Sequence, residues 1–553
     1  MDHAPAHPRR WAILGVLILA LLVVVLDHTI LNVALRVIAD PEQGLGATQS
    51  ELAWSINSYT LVFAGLLFTF GVLGDRWGRR RMLLAGLVVF GASSGVSAFA
   101  QTPEQLIAAR ALMGLGAAGI MPQTLAILTN VFSAQQRARA IGIWAGAVGM
   151  GMAIGPPLGG FLLTYFYWGS IFLINVPIAV FAIVMILWLA PESRNPEPRR
   201  LDPVGVILSI VGLVLLVYGI IAIGEGGAGF QVDTVTALAA GLVVLVAFVV
   251  YEARIDHPAF NVRLFRDPRL AVAVATIMLV FFAMAGVVFF MSFYLQSVQE
   301  LTPLQAGLLL IPMAAAQGIF APLSSTLVAR FGPKLVGTTG VLLVAVALGS
   351  YTMVEATTPL AIMCTIFFVQ GTGMALVMPP ATESIMSAVP RHEAGAASAM
   401  QNTARQVAVA LGVAVLGSVV SLVYRSQINP SLDVLPEGTR DAASASIEET
   451  LGIARELGLE AELINPAKDA FLAGMHAAAL CSLVVALVGA VTVLIWLPRR
   501  AYPQEDTPAP QSREQAEHAE RAEQTDSTAS GEHAGSGAPA GDRAEPTPTQ
   551  RSD

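Results

Sequence analysis

Two side chains of opposite charge, Asp27 and Arg110, interrupt long apolar stretches of the sequence. A charged group at the centre of a bilayer costs about 2.5–3.5 kcal/mol on insertion scales, so such a group is seldom kept without a use. Asp27 is expected about 22 Å from the inner end of its helix, and Arg110 about 9 Å from the outer end of another helix. Both residues are therefore expected at a similar depth in the outer half of the bilayer. A carboxyl group that moves toward or away from a guanidinium changes its proton affinity. The two residues therefore predict proton coupling, with a static buried ion pair as the alternative.

Other polar side chains within the apolar stretches are candidates for a substrate cavity or for hydrogen bonds between helices, and the sequence leaves both open. His28 points about 100° away from Asp27 on a helix, which favours packing between helices over titration. Arg405 is as compatible with a structural partner as with a functional role. Glu383 is a candidate acid for substrate entry or gating. The candidate cavity residues are Trp54, Asn57, Tyr59, Gln123, Asn175, Gln317, Gln370, Asn402 and Glu383.

A charged loop, GVLGDRWGRRR at 71–81, predicts a gate element between two helices. Asp75 falls at the C-terminal end of a helix, where the helix dipole disfavours an anion, so its carboxylate needs a partner. Glycines in this loop permit tight turning and close approach of helices. The candidate gate residues are Gly71, Asp75, Arg76, Gly78, Arg79 and Arg80.

One apolar stretch has an unusually small-sided face. Gly151, Gly155 and Gly159 are spaced by four, so they share one side of a helix and let a neighbouring helix approach closely. Pro156 removes a backbone donor and invites a kink, and Gly160 extends the small surface. The general interpretation is a packing helix, which any membrane protein could contain.

These residues belong to an all-α membrane protein. Hydrophobic residues make up 55% of the chain and charged residues 13%, whereas a soluble domain has about 25% charged residues. A helix needs roughly 20 apolar residues to cross a bilayer core. Fourteen such stretches lie between residues 11 and 497. The first lacks a small-residue cleavage site and is expected to stay as an anchor rather than be removed as a signal peptide.

The loops predict the orientation of these spans. Arginine and lysine gather in the even-numbered loops, as at 76–81, 194–200, 263–269 and 330–334, while the short odd-numbered loops carry only Arg36. Because basic residues accumulate on the cytoplasmic side of short loops, both termini are expected in the cytoplasm and the protein in the cytoplasmic membrane.

The order of the spans predicts a bundle of six helices, then two linking helices, then a second bundle of six helices. The expected parts are a cytoplasmic N-terminus at 1–10, a first bundle at 11–190, two linking helices at 191–268, a second bundle at 269–497 with an outer loop at 424–468, and a tail at 498–553. In the tail, residues 501–553 hold 11 acidic residues against 4 arginines. This segment has too few apolar residues to bury a core and is expected to be disordered and cytoplasmic. Within the outer loop, 441–459 is expected to form an amphipathic helix.

The chain resembles the major facilitator superfamily, and within it the fourteen-helix drug:proton antiporters of the EmrB/QacA type. Weak internal symmetry supports a transporter, since ARFGPKLVG at 329–337 echoes the loop at 71–81. The strings that carry the resemblance are LDHTILNVAL at 26–35, GVLGDRWGRRR at 71–81, RALMGLGAAG at 110–119, GMGMAIGPPLGG at 149–160 and AASAMQNTARQ at 396–406.

The resemblance implies two six-helix bundles with two additional central transmembrane helices, and proton-coupled efflux of amphipathic small molecules or drugs by alternating access. It implies that Asp27 pairs with Arg110, and that Asp75 meets the start of a helix at Lys334–Thr338 to close the cytoplasmic side. It also implies that the glycine-rich helix at 149–160 prevents proton leakage. The alternative is an exporter of one specific metabolite, lipid or amino acid.

An enzyme is not expected, because the sequence contains no nucleophilic triad, metal-ligand spacing or phosphate-binding loop. The expected partners are membrane lipid and a small-molecule substrate, with protons as the coupling ion. No cofactor, metal or nucleic acid is expected. The protein is expected to be a monomer, and the sequence does not identify an adaptor protein.

Overall fold

A computed structural model describes residues 8–194, 202–225, 232–255, 262–387 and 394–496, and these residues form helices and short connections without a strand. The expected tail at 498–553 and most of the expected N-terminal segment lie outside the described residues. The helices are α1 (Arg10–Ala39), α2 (Gln49–Trp77), α3 (Arg79–Ala98), α4 (Pro103–Val131), α5 (Ala134–Tyr165), α6 (Ser170–Leu173), α7 (Asn175–Leu189), α8 (Pro203–Glu225), α9 (Val232–Glu252), α10 (Pro268–Phe293), α11 (Pro303–Leu308), α12 (Ile311–Phe331), α13 (Pro333–Tyr351), α14 (Leu360–Ser387), α15 (Ala394–Ile428), α16 (Glu437–Ala443), α17 (Ile447–Leu457) and α18 (Glu460–Trp496).

Among the described residues, 13 helical passes are long and apolar enough to cross a membrane. Helices α6 and α7 form one such pass, and so do α11 and α12, while a π-helical turn at Tyr294–Val298 extends α10. Helix α5, with 32 residues, supplies the remaining predicted span. The predicted all-α membrane fold is therefore confirmed, and each span of the sequence analysis corresponds to one helical pass.

Sequence signals at the helix ends explain where several helices begin. Thr48 accepts a hydrogen bond from the Glu51 backbone and the Glu51 side chain reaches back, which forms a capping box for α2. Thr302 and Gln305 do the same for α11. Such caps satisfy backbone N–H groups that the first turn leaves without partners.

The two loops that echo each other in sequence also share a backbone conformation. Gly78 joins α2 to α3 with φ +118°, and Gly332 joins α12 to α13 with φ +83°. Side chains with a Cβ rarely adopt these angles, so glycine permits the abrupt reversal between consecutive helices. The internal symmetry of the sequence therefore has a structural counterpart at one end of each half.

Two groups of helices pack around a boundary. In the first group, α4 packs on α2 and α3, and α1 packs on α5 and α7. In the second, α14 packs on α12 and α13, while α10, α15 and α18 pack on one another. The groups meet where α5 contacts α11, α2 contacts α15 and α1 contacts α10. Helices α8 and α9 pair, and α8 lies against both α2 and α15, next to the boundary.

Loops contact one another at two opposite ends of the molecule. At the arginine-rich end, which carries 76–81 and 330–334, the Arg81 guanidinium lies 3.7 Å from the Glu192 carboxylate. At the opposite end, which carries 424–468, the Lys468 ammonium lies 2.5 Å from the Glu300 carboxylate. Each contact joins loops of the same predicted side, since Arg81 and Glu192 lie in even-numbered loops and Lys468 and Glu300 in odd-numbered ones.

The segment at 424–468 folds back onto the opposite end. The expected helix at 441–459 is two helices, α16 and α17, because the chain turns at Ser444–Ser446 and Ser446 then caps α17 by accepting from the Glu449 backbone. Helix α17 buries Ile447, Leu451 and Ala454, as its amphipathic pattern requires.

Candidate proton-coupling site and substrate cavity

Asp27 of α1 and Arg110 of α4 form an ion pair in the first helical group. The Arg110 Nη1 lies 2.5 Å from the Asp27 Oδ2, and the two residues are 2% and 0% exposed. A charge-assisted hydrogen bond of this length offsets part of the cost of removing both charges from water. The similar depth expected from the sequence thus becomes direct contact.

Neighbouring residues hold both members of the pair in place. The Arg110 Nε donates to the Ser55 carbonyl at 3.2 Å, and its guanidinium lies 4.3 Å from the centre of the Tyr59 ring. The Asn175 amide donates to Asp27 Oδ1 at 3.3 Å and to the Ser94 hydroxyl at 3.2 Å. Asp27 therefore accepts from two side chains, which restrict its position on both sides of the carboxylate.

Two residues considered for the cavity wall belong instead to this cluster around the ion pair. Tyr59 contacts Arg110 through its ring and Asn175 contacts Asp27 through its amide. Asn57, on the same helix as Tyr59, is fully buried. Trp54 packs against Tyr218 of α8, with ring centres 6.5 Å apart. The structure places all four outside the lining of the cavity described next.

A cavity of about 1570 Å³ lies between the two helical groups. Its wall is mostly apolar and includes eight methionines, whose flexible thioether side chains adapt to ligands of different shape. Four predicted residues line it: Gln123, Gln317, Gln370 and Asn402. Glu383 lies in α14, and its side chain is outside the described part of the structure.

The cavity begins one residue beyond the ion pair. His28 and Thr29 line it, and the His28 ring centre lies 6.3 Å from that of Tyr59, which also contacts Arg110. Packing between helices is the role that the sequence favoured for His28, and its ring lies beside Tyr59 of α2 while it also lines the cavity. Its direction, about 100° from Asp27 on α1, is the one that faces the gap between the groups.

At the arginine-rich end, part of the predicted gate loop lines the cavity. Gly71, Asp75 and Arg79 are among the lining residues. Arg79 donates from Nε to Asp75 Oδ1 at 2.9 Å, and its Nη2 lies 2.8 Å from the same oxygen. Among the described residues, the expected contact of Asp75 with Lys334–Thr338 is therefore replaced by a pair within one loop. The cavity separates the two helical groups here, so a contact across them requires a different conformation.

The remaining gate residues are held within the first helical group. The Arg80 Nη2 donates to the Leu187 carbonyl at 2.7 Å, and its backbone N–H donates to Glu192 at 3.2 Å. Gly78 provides the left-handed turn, and Arg76 is exposed. These contacts anchor the loop to the end of α7.

At the opposite end, the glycine face of α5 closes the gap between the groups. A Cβ at Gly155 would overlap the Thr29 side chain of α1, and one at Gly159 would approach Ile30 to 2.8 Å. On the other side, a Cβ at Gly160 would lie 2.7 Å from the Leu304 Cα of α11. Helix α5 therefore lies against α1 and α11 at distances that only glycine permits.

Other contacts of α5 and α1 continue this closure. A Cβ at Gly151 would meet Leu22 and Val25 of α1 at 2.9 Å, and Pro156 lies against Gly307 of α11. The Gln296 amide of the second group donates to the Val33 carbonyl of α1 at 2.8 Å. The cavity is thus closed at the opposite end and extends to Asp75 and Arg79 at the arginine-rich end.

A helical membrane protein with a buried ion pair beside a cavity between two helical groups is a transporter in architecture. Residues 17–413 match the family model of the Major Facilitator Superfamily. The chain belongs to this superfamily, as the motifs indicated.

Curated relatives cover nearly the whole chain. The chain is 34% identical over 488 residues to the multidrug efflux pump LfrA of Mycolicibacterium smegmatis, which is 88% of this chain and 96% of the relative. It is 32% identical over 528 residues to the tetracenomycin C resistance and export protein of Streptomyces glaucescens, 92% of this chain and 95% of the relative. It is 32% identical over 450 residues to the methyl viologen resistance protein SmvA of Salmonella typhimurium, which is 81% of this chain and 89% of the relative.

Solved structures share the fold at low identity. A bacterial homologue of the human lysosomal transporter Spinster, in an inward-facing and unoccupied conformation, has a TM-score of 0.60 at 16% identity and covers 90% of this chain and 100% of its own. A peptide transporter of the POT family also gives 0.60 at 16%, with 91% and 99% coverage. These likenesses establish the architecture alone.

Proposed function

We propose that this multi-pass membrane protein exports amphipathic small molecules or drugs from the cytoplasm in exchange for protons. The observation that carries the proposal is the Asp27–Arg110 ion pair beside a large apolar cavity. Relatives named for multidrug efflux and for tetracenomycin C resistance and export, alike over most of the chain, support the efflux direction. The protein acts by transport rather than by covalent chemistry, as a monomer in lipid and without a cofactor.

The orientation proposed is with the arginine-rich end in the cytoplasm, as the loop charges favour. The protein then lies in the cytoplasmic membrane with both termini inside. The cavity reaches Asp75 and Arg79, so the described conformation is the inward-facing state, in which the cavity accepts cargo from the cytoplasm. The contacts of α5 with α1 and α11 form the seal toward the outside.

The exchange follows from competition for the Asp27 carboxylate. In the described state Arg110 and Asn175 bind both carboxylate oxygens. A proton delivered from outside neutralises Asp27 and weakens its attraction to Arg110, so α1 and α4 can shift relative to each other. Since α1 carries His28 and Thr29 in the cavity wall, this shift changes the cargo site. Inward proton movement supplies about 2.3 kcal/mol per charge for each 100 mV.

Transport by reconstituted protein tests the proposal. Proteoliposomes would be loaded with ethidium or with 1-pyrenebutanoate, and probe movement would be followed after a pH gradient is imposed. Wild-type protein is expected to move at least one probe against its gradient, and Asp27→Asn to equilibrate it without accumulation. Asp433→Asn is the matched control, because Asp433 is an exposed acid at the opposite end. Accumulation by Asp27→Asn at the wild-type level would overturn the coupling role.

A specific exporter of one metabolite, lipid or amino acid remains the second candidate, and the wide methionine-lined cavity favours the multidrug function over it. Growth of a deletion strain against a broad set of toxic compounds distinguishes them. Sensitivity to several unrelated compounds is expected for the multidrug pump, and sensitivity to one for the specific exporter.

A further inference from the structure

Arg405 of α15 lines the cavity between the two helical groups. Among the described residues it takes part in no ion pair, and its buried Nε has no hydrogen-bond acceptor. Its Cζ lies 5.5 Å from the centre of the Phe281 ring, which also lines the cavity. A guanidinium half-buried in a mostly apolar wall and left without an anion is unfavourable, so a position of this kind is retained for a use.

The other charged side chains of the described cavity region are paired within the protein. Asp75 is paired with Arg79 in the cavity wall. Asp27, behind the wall, is paired with Arg110. The described lining therefore carries one positive charge that no described acid balances, and this charge belongs to Arg405. A bound molecule that supplies an anionic oxygen would provide the missing partner.

The polar groups of the cavity wall differ in what they can offer a ligand. The Gln370 amide is already oriented by the protein, because Tyr351 donates to its oxygen at 2.6 Å and its nitrogen contacts the Met284 sulfur at 3.0 Å. Gln370 therefore has one N–H and one lone pair left for cargo, and it carries no charge. Arg405 presents donors only, in a planar fork that matches a carboxylate. The Phe281 ring and the methionines accept an apolar or aromatic body beside it.

We propose that Arg405 is the headgroup site of the cavity and selects apolar or aromatic compounds that carry an acidic oxygen, such as a carboxylate or a phenolate. The inference rests on the proposed function and narrows it, since a cationic headgroup would meet a like charge here. Arg405 would bind the acidic group by two parallel hydrogen bonds, while the methionine-rich wall covers the apolar body.

Three pyrene probes with one apolar body test the site directly. Purified protein in detergent would be titrated with 1-pyrenebutanoate, 1-pyrenebutanol and pyrenebutyl-trimethylammonium, and binding followed by pyrene fluorescence. Wild-type protein is expected to bind the carboxylate about tenfold or more tightly than the alcohol, and the cation most weakly, since hydrogen bonds between charged groups are the strong ones. Arg405→Gln is expected to remove this ranking. Arg405→Lys keeps the charge without the fork and should give an intermediate preference.

Arg440→Gln is the matched control, since Arg440 is a guanidinium of the opposite end that pairs with Asp433. It should leave the ranking unchanged. Equal binding of the three probes by wild-type protein, or an unchanged ranking in Arg405→Gln, would overturn the proposal. If Arg405→Gln does not fold, the wild-type ranking and Arg405→Lys still decide it. A carboxylate preference without pH-driven transport would retain the site and reject the proposed function, whereas transport without the preference would do the reverse.

Discussion

Thr29 of α1 occupies the space that the missing side chain of Gly155 leaves on α5, so that a Cβ at position 155 would overlap the Thr29 hydroxyl group. The same threonine hydroxyl donates to the Val25 carbonyl of its own helix at 3.0 Å. It therefore cannot rotate away without losing a hydrogen bond. Thr29 lies two positions after Asp27, so this fit connects the seal at the opposite end with the segment of α1 that carries the ion pair.

Gly155→Ala is expected to lower transport strongly and to reduce thermal stability, because α5 must move away from α1 to make room for the methyl group. The measurement is probe accumulation in proteoliposomes together with the melting temperature of the purified protein. Gly417→Ala is the matched control, since a Cβ there meets nothing within 4 Å. It should be neutral or slightly stabilising, as alanine in a helix generally is. Equal behaviour of the two variants would contradict the packing argument.

Tyr59 should act through its ring and not through its hydroxyl. The ring lies 4.3 Å from the Arg110 guanidinium, while the buried hydroxyl oxygen has no hydrogen-bond partner among the described residues. Tyr59→Phe is therefore expected to keep transport and stability. Tyr59→Leu should lose about 0.5–2 kcal/mol of cation–π attraction and weaken coupling. Chemical denaturation and pH-driven transport measure the two effects, and a larger loss in Tyr59→Phe than in Tyr59→Leu would refute the assignment.

Glu448 should make the opposite end sensitive to pH. Its carboxylate accepts from the Ser297 hydroxyl and lies 3.5 Å from the Arg36 guanidinium, so α17 connects α1 with the end of α10. Burial raises the pKa of Glu448, and Asp40 raises it further, while Arg36, Ser297 and Arg455 lower it, with a net rise. An exposed Glu448, in an open form, would have its ordinary pKa. The closed form therefore binds the proton more tightly, and closure weakens as the pH rises through the raised pKa.

The predicted weakening of closure with rising pH can be measured by cysteine labelling from the opposite end. Ser292 lies in the cavity wall near the closure, so Ser292→Cys, with Cys364 and Cys481 replaced, should be labelled by an impermeant thiol reagent only when that end opens. Asp433→Cys, at a position 80% exposed, corrects for the reactivity of the thiol itself. The labelling ratio should rise with pH and become independent of pH in Glu448→Gln. A ratio that falls with rising pH would reject the assignment.

Gly78 and Gly332 should be the least tolerant turn positions of the arginine-rich end. Both combine positive φ with extended ψ, a region that essentially only glycine adopts, so alanine there costs of order 1–3 kcal/mol. Gly78→Ala would also bring a Cβ within 2.6 Å of the Glu192 carboxylate. We expect both alanine variants to melt earlier than wild type, with Gly78→Ala lower than Gly332→Ala. Gly318→Ala, where a Cβ meets nothing within 4 Å, is the control.

The sequence was sufficient for features that depend on helical geometry. The period of the glycines in α5 placed them on one face, and that face meets α1 and α11. The depth of Asp27 and Arg110 was fixed by counting residues along two spans, and the two groups are in contact. Their role in coupling stays a prediction, because a single arrangement of the pair does not show proton exchange.

The sequence was insufficient where a contact depends on which helices adjoin or on the conformational state. The direction of His28 could be derived from α1, but not that a cavity lies in that direction. Asn175 looked like any polar residue of an apolar span, and only the packing of α7 against α1 brings its amide to Asp27. In the structure Asp75 pairs with Arg79, four positions further along the chain, and no residue pattern selects this pair over the start of α13.

The eight methionines of the cavity wall make it chemically vulnerable as well as adaptable. Oxidants convert a thioether into a sulfoxide, which adds a polar oxygen to a side chain that was apolar. Damage of this kind would leave the helices and the ion pair in place while wetting the surface that holds apolar cargo. An oxidised protein would then remain folded in the membrane and lose affinity first for its most hydrophobic ligands. Methionine sulfoxide reductases would restore the thioethers and with them the affinity.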